Sequence, residues 1–335
     1  MSSTSARPQR AILVTGANKG IGYAICDKTL ADAADTFVLL GSRSAERGEA
    51  AVKRLQEKHS PSRVQLLLLD VQSNKSVAQA KDQVAALLKT RQDLTLWAVV
   101  NNAGGTGTGQ GLGFSDADSF RLCQDLNFTG CVRVTEAFLP LLEKFGGSSQ
   151  ALPRIVNINS GAGPGFVKNC SAAYQQLLTD ADKTLHDLNT LVDTGEQLLR
   201  QDNPLEALKA AGLGAGSWGM TQTMYYYGFS KALMNAWTRQ LAKRTKGRVL
   251  VNSCSPGLVH TDLTQPFCEI RQMNPEQMNM LTPAQGARTP CRLLLDPAVD
   301  FTGRFYGSDG LRSPFHTSRD PDKDPEYQAP PEEEL

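Results

Sequence analysis

Tyr227-Gly228-Phe229-Ser230-Lys231 sets a phenol and an amine four residues apart at the head of a helical segment. Residues four apart share one helix face, about 5–6 Å between Cβ atoms, so both groups can act on one small molecule. A free phenol, with a pKa of about 10, is a poor acid–base group at neutral pH. An ammonium about 4 Å away, at an effective dielectric of about 20, is worth roughly 4 kcal/mol, or about three pKa units. The spacing therefore predicts a tyrosine tuned toward physiological pH, where proton transfer is most effective. Tyr225 and Tyr226 have no lysine four residues on. The pattern is common by chance, and an isolated copy would usually lie on a surface.

A second cluster lies near the start of the chain. Thr15-Gly16-Ala17-Asn18-Lys19-Gly20-Ile21-Gly22 joins a short apolar strand to a helical pattern. Its glycines let the backbone approach a pyrophosphate, and the helix start supplies free N–H groups and a positive dipole end. A glycine-rich loop alone is a weak signal, but placement after the first strand of a β-α-β pattern strengthens it. Twenty residues after Gly22, where an NAD enzyme places an acid on the ribose hydroxyls, stands Ser42, between Gly41 and Arg43. No carboxylate is there to repel a 2′-phosphate, and Arg43 with Lys19 would pair with one, guanidinium being suited to bidentate contacts. The alternative is that both are solvated surface cations. The balance favours NADPH over NADH.

The elements around these residues alternate. Apolar runs at 11–15, 37–40, 64–69, 96–100, 154–158 and 249–254 read as strands. Amphipathic stretches at 44–58, 73–89, 117–144 and 227–244 read as helices. Uninterrupted apolar strands between such helices imply a parallel sheet covered on both faces. The fold class is α/β, a doubly wound parallel sheet of the Rossmann type in one domain, 11–312. Residues 172–213 break the rhythm: Tyr174, Leu177, Leu178, Leu185, Leu188 and Val192 recur at helical spacing, predicting one or two extra helices. Residues 1–10 read as a flexible arm, and 313–335, rich in Asp, Pro and Glu, as a disordered tail.

Further polar residues fall at strand ends in a fixed order: Asp70 and Val71, then Asn101-Asn102-Ala103-Gly104, Ser160, and Pro256-Gly257, with Asn127 in a helix. Together with the glycine turn and the Tyr227–Lys231 pair, this set resembles the short-chain dehydrogenase/reductase family over about residues 10–310. The resemblance implies that Tyr227 protonates a carbonyl oxygen, Ser160 hydrogen-bonds it, and Lys231 holds the nicotinamide ribose and lowers the tyrosine pKa. It implies that Asn127 supports a water-linked proton relay. Asp70 and Val71 would border the adenine, Asn101 the ribose side, and Val259 with Thr261 the nicotinamide end; Gly104, Pro256 and Gly257 complete the cofactor site. In ordinary members the serine precedes the tyrosine by about a dozen residues; here Ser160 and Tyr227 are 67 apart. Tyr174 sits near the usual spacing, but Leu178 stands where a lysine is needed. A helical insert at this point, with Asn18-Lys19 in the turn, resembles the monomeric carbonyl reductases. Asn159, immediately before the serine, is a less usual choice.

The expected activity is NADPH-dependent reduction of small ketones, aldehydes or quinones (EC 1.1.1.-). The alternatives are NADP-dependent alcohol oxidation and a non-catalytic NADP(H) sensor. A formal net charge of +1 argues against a nucleic-acid partner. No apolar run approaches the roughly 20 residues needed to span a bilayer, and no secretory signal opens the chain. Seven scattered cysteines, an odd number without C-x-x-C spacing, and four lone histidines predict no metal site. They suit a reducing compartment such as the cytosol. The insert's apolar stripe is expected to cover the helix face that pairs many short-chain reductases, leaving a monomer.

Overall fold

The computed structural model describes residues 9–106, 115–147, 151–219 and 222–335. The first half runs β1 (Gln9–Val14), α1 (Gly20–Asp32), β2 (Thr36–Ser42), α2 (Ala45–Gln56), β3 (Val64–Leu68), α3 (Asn74–Thr90) and β4 (Leu94–Asn101). It continues with α4 (Asp116–Gln124), α5 (Gly130–Phe145), β5 (Arg154–Ile158) and α6 (Ala162–Lys168). The insert forms α7 (Ala172–Thr179), α8 (Leu185–Leu199) and α9 (Pro204–Ala211). The core resumes with α10 (Gln222–Arg244), β6 (Leu250–Cys254), α11 (Gln265–Arg271), α12 (Pro283–Gly286) and α13 (Arg288–Leu295). Two short strands, β7 (Phe305–Tyr306) and β8 (Arg312–Ser313), close the sheet.

The strand order is β3-β2-β1-β4-β5-β6-β7-β8, parallel except for the antiparallel β7–β8 pair. Side chains alternate across each strand, so Ala11 and Leu13 enter one apolar layer while Ile12 and Val14 enter the other. Strand order reverses at β1 and β4, and the crevice outside their carboxyl ends is where such sheets bind ligands.

Three differences from the sequence expectations have physical causes. The single helix expected over 117–144 is interrupted by a π turn at Asp125–Thr129, where Gly130 N–H donates to the Asp125 carbonyl. The insert makes three helices because Asp180 and Gly212 end α7 and α9, the latter at a positive φ of 67°. Residues 313–335 are not a loose tail. Glu334 pairs with Arg304 at 3.0 Å and with Arg312, and the Glu333 carbonyl accepts from Arg239 of α10 at 3.3 Å. Leu335 packs against the main core. Of the expected N-terminal arm, residues 1–8 lie outside the described residues, and Gln9 and Arg10 already belong to β1.

The insert covers α4 and α10. Leu188, Leu191 and Val192 of α8 are buried in the same core as Phe120 and Phe229. A Cβ on Gly195 would lie 2.9 Å from Phe120 Cζ, so a larger residue would push α8 away. Every residue of α10 from Gly228 to Ala242 is buried, the condition of a helix enclosed on all sides.

Candidate active site

The groove floor is the β1–α1 turn. Gly16 and Gly20 adopt φ values of 62° and 59°, conformations that favour glycine. A Cβ on Gly22 would sit 2.4 Å from Asn102 Nδ2, and one on Gly16 2.9 Å from Ala103 Cα. The turn and the Asn101–Gly104 stretch are therefore packed backbone to backbone. Asn102 Nδ2 donates to the Thr15 carbonyl at 2.9 Å and the Gly16 carbonyl at 3.2 Å. Thr15 Oγ1 in turn accepts from Ala103 N–H at 2.9 Å. Asn102 thus shapes the turn, a role the sequence reading did not give it. A Cβ on Gly20 would meet only Thr261, at 3.5 Å, so that side of the turn is open toward the loop after β6. Lys19, which precedes α1, makes no side-chain cap, leaving the first N–H groups of this helix directed at the groove. Ile21 packs into the core below. An open glycine turn with uncapped N–H groups fits a pyrophosphate.

Other residues divide. Arg43 is exposed and has no ion pair among the described residues, whereas Ser42 Oγ is spent on the Ser44 carbonyl at 2.8 Å. Lys19 is not paired alongside Arg43; it forms an ion pair with Asp262, beyond β6 on the other side of β1. Arg54, which the sequence reading missed, reaches back from α2 to the Asn18 carbonyl at 3.3 Å and lies over the Tyr23 ring. Asp70 Oδ1 accepts from Gln72 N–H at 3.1 Å, and Val71 is buried against Gly130. The Asn101 side chain turns inward, donating to Thr135 Oγ1 and Asn157 Oδ1, both at 2.9 Å, so it does not reach the groove. Pro256 leads into Gly257, at φ 85°, followed by Val259, buried and bridged to Leu281. Thr261 N–H donates to Thr264 Oγ1 at 2.9 Å.

Four residues converge where β5 meets α10. The Tyr227 side chain faces Ser160, which draws its pKa down, and Ser160 Oγ accepts from Ala162 N–H at 3.1 Å. Lys231 Nζ lies 5.4 Å from the Tyr227 ring centroid and donates to the Ile158 carbonyl at 3.0 Å. Asn127, in the π turn, donates to the Gly105 carbonyl at 2.8 Å and to Ser230 Oγ at 2.9 Å, and accepts from Gly105 N–H. Its side chain is therefore committed to fixing the strand-end loop and α10. π turns recur at functional sites, and this one aims Asn127 inward. Tyr174 lies in α7 of the insert, packed against the core, with no lysine beside it.

The electrostatics correct one expectation. Burial pushes the Tyr227 phenol up to about 12, with the Ser160 hydrogen bond only partly opposing it. Lys231, at 4% exposure, is itself desolvated, and burial pulls its amine down to about 8. Desolvation of both groups outweighs their attraction, so the phenol is not brought near neutrality in the free protein.

A family model described as short chain dehydrogenase matches residues 10–175. Carbonyl reductase [NADPH] 1 of Macaca fascicularis is 31% identical, covering 86% of this chain and 91% of its own length. (+)-Neomenthol dehydrogenase of Arabidopsis thaliana is 32% identical, covering 86% and 92% respectively. Among solved structures, salutaridine reductase from Papaver somniferum superposes with a TM-score of 0.68 at 26% identity, over 89% of this chain and 99% of that one. The fold and site define a dinucleotide-binding oxidoreductase. The chain belongs to the short-chain dehydrogenase/reductase family.

Gly104 offers a direct check on the site geometry. A Cβ there would lie 2.8 Å from Asn127 Oδ1 and 3.6 Å from Lys231 Nζ. Gly104→Ala is expected to displace Asn127 and to lower turnover about 10–100-fold, the scale set by misplacements of about 1 Å. Steady-state kinetics measures this; unchanged turnover would show that the loop gives way instead.

Proposed function

We propose that the protein reduces small ketones, aldehydes or quinones to alcohols with NADPH. The observation that carries this reading is the convergence of Tyr227 and Ser160 with Lys231 Nζ, 5.4 Å from the Tyr227 ring centroid. NADPH, when bound, supplies the hydride. Tyr227 gives its proton to the carbonyl oxygen, and Ser160 hydrogen-bonds that same oxygen. The charged Lys231 stabilises the phenolate left behind and would hold the ribose hydroxyls, while Asn127 keeps Gly105 and Ser230 in place around it. A phenol at about 12 is fully protonated at neutral pH, ready to donate. Alcohol oxidation, the reverse reaction, would start from the phenolate; the reading of reduction rests on the NADPH preference, because cells keep that pool reduced.

Preference for NADPH over NADH rests on Arg43, exposed at the end of β2 with no carboxylate paired to it. Lys19, which pairs with Asp262 beyond β6, is read here as serving the pyrophosphate rather than the 2′-phosphate. The relatives named carbonyl reductase [NADPH] 1 agree with this choice. The insert and the C-terminal segment lie over α10, which supports a chain that works as a monomer. Seven free, buried cysteines suit the reducing cytosol.

The central test is a carbonyl panel assayed by NADPH consumption. Tyr227→Phe is expected to retain NADPH binding and lose turnover by at least about 100-fold, the proton donor being gone. Tyr174→Phe is expected to change turnover little. A reversal of the two effects would move the catalytic helix into the insert.

Arg43→Ala is expected to raise the KM for NADPH at least about tenfold more than that for NADH, since only NADPH carries the 2′-phosphate. Equal changes would return Arg43 to the solvated surface.

The pH dependence has a definite sign. Reduction needs a protonated Tyr227 and a charged Lys231, and the lysine, at about 8, titrates first. Carbonyl-reduction kcat/KM, which reports the free enzyme, is expected to stay level from about pH 6 to 7 and fall above about 8. A profile climbing to pH 9 would contradict this assignment.

A further inference from the structure

We propose that Asn159 is a positioning residue that locks Ser160 and Lys231 into one register; this rests on the reductase reading above. Asn159 is buried at 2% exposure between the end of β5 and the serine. Its Oδ1 accepts from Ser160 N–H at 3.0 Å. Its Nδ2 donates to the Lys231 main-chain carbonyl at 3.1 Å and to Asn235 Oδ1 at 2.5 Å. Lys231 Nζ returns a bond to the Ile158 carbonyl at 3.0 Å. The consecutive residues Ile158 and Asn159 thus hold Lys231 at both its side-chain tip and its main chain, and Asn159 also holds Ser160. If this turn moves, the serine and the lysine move together.

The surrounding packing leaves this seam little room. A Cβ on Gly163 would fall 2.9 Å from the Lys231 carbonyl, and one on Gly228 would fall 3.2 Å from the Ala162 carbonyl. Helices α6 and α10 therefore meet backbone to backbone beside the bond that Asn159 makes. A carboxamide offers two donors and an acceptor on one planar group, as these contacts require. Aspartate would keep the acceptor for Ser160 but set a carboxylate against two buried oxygens. Alanine would leave the Ser160 N–H without this acceptor and the two sides joined only through Lys231 Nζ.

A purely structural role makes a different forecast, and Asn157 supplies the control. It lies two residues back on the same face of β5, is fully buried, and donates to Thr238 of α10 at 2.9 Å. It touches neither Ser160 nor Lys231 through any of its side-chain hydrogen bonds. Asn159→Ala and Asn157→Ala are both expected to lower the Tm. Only Asn159→Ala is expected to lower kcat, about 10–100-fold, with the KM for the carbonyl substrate changed less than about threefold. Equal loss of kcat in the two variants, or none in Asn159→Ala, overturns the proposal. Should the alanine variant not fold, Asn159→Ser, whose shorter side chain has one donor for the two oxygens that Asn159 Nδ2 serves, is judged by the same comparison. If the wild-type protein turns over no carbonyl, the reductase reading falls by itself. Crystal structures then decide: a change of at least about 0.5 Å in the Ser160–Lys231 Cα separation in the Asn159 variant, absent from the Asn157 variant, upholds the proposal. An unchanged separation overturns it.

Discussion

A lysine enclosed in the protein interior governs the layout of this site. An ammonium withdrawn from water needs acceptors or it gives up its proton, and the amine of Lys231 has already moved down to about 8. Its Nζ finds the Ile158 carbonyl and the Met234 sulfur, at 3.0 and 3.4 Å, and an ammonium has three donors in all. The Ile158 carbonyl is within reach because β5 ends there and α10 passes directly across it. Gly104, Gly163 and Gly228 permit that crossing, each at a point where a Cβ would meet a neighbouring residue within 3.2 Å. Ser160, Tyr227 and Asn127 take their positions from the same crossing.

Such a helix cannot be left half exposed. Its buried face includes Phe229, Leu233, Trp237 and Leu241, and polar residues such as Arg239 and Gln240 are buried with them. Two segments outside the alternating sheet pattern cover it. The insert brings α7 and α8 against its first half, beside Phe120 of α4 and Phe166 of α6, whose rings each lie about 5 Å from Phe229, centre to centre, at steep edge-on angles suited to aromatic pairs. The chain's last residues cover its second half through Arg239 and Leu335. The extra length between Ser160 and Tyr227 therefore completes the core on which α10, with Tyr227 and Lys231, rests.

Much of this was legible in the order of residues along the chain. The glycine turn, the strand-end asparagines and the Tyr227–Lys231 pair are local patterns, and local spacing survives folding. Periodicity likewise exposed the parallel sheet, because strands buried on both faces leave uninterrupted apolar runs. What escaped was set by partners far apart in sequence. Lys19 looked like a companion to Arg43 until Asp262 was seen beside it. The acidic, proline-containing composition of 313–335 suggested disorder, yet Glu334 meets Arg304 and Arg312, and Tyr327 bonds Glu333 at 2.9 Å. The π turn at Asp125–Thr129 leaves the apolar periodicity nearly intact, so a continuous helix was the natural reading. The inward turn of Asn101 depends on Thr135 and Asn157, neither of which its own motif contains.

The phenol's pKa was the instructive error, because burial acts on both partners of the pair. Treating Lys231 as a fixed charge predicts a more acidic tyrosine; treating both groups as desolvated separates their pKa values in the opposite order to their ordinary ones. The phenol stands at about 12 and the ammonium at about 8, so the lysine is the stronger acid. On the proposed reading, a phenolate formed when Tyr227 gives its proton to the carbonyl oxygen would face an ammonium of lower pKa, able to return a proton downhill. The burial that makes Tyr227 hard to ionise thus also makes it easy to recharge.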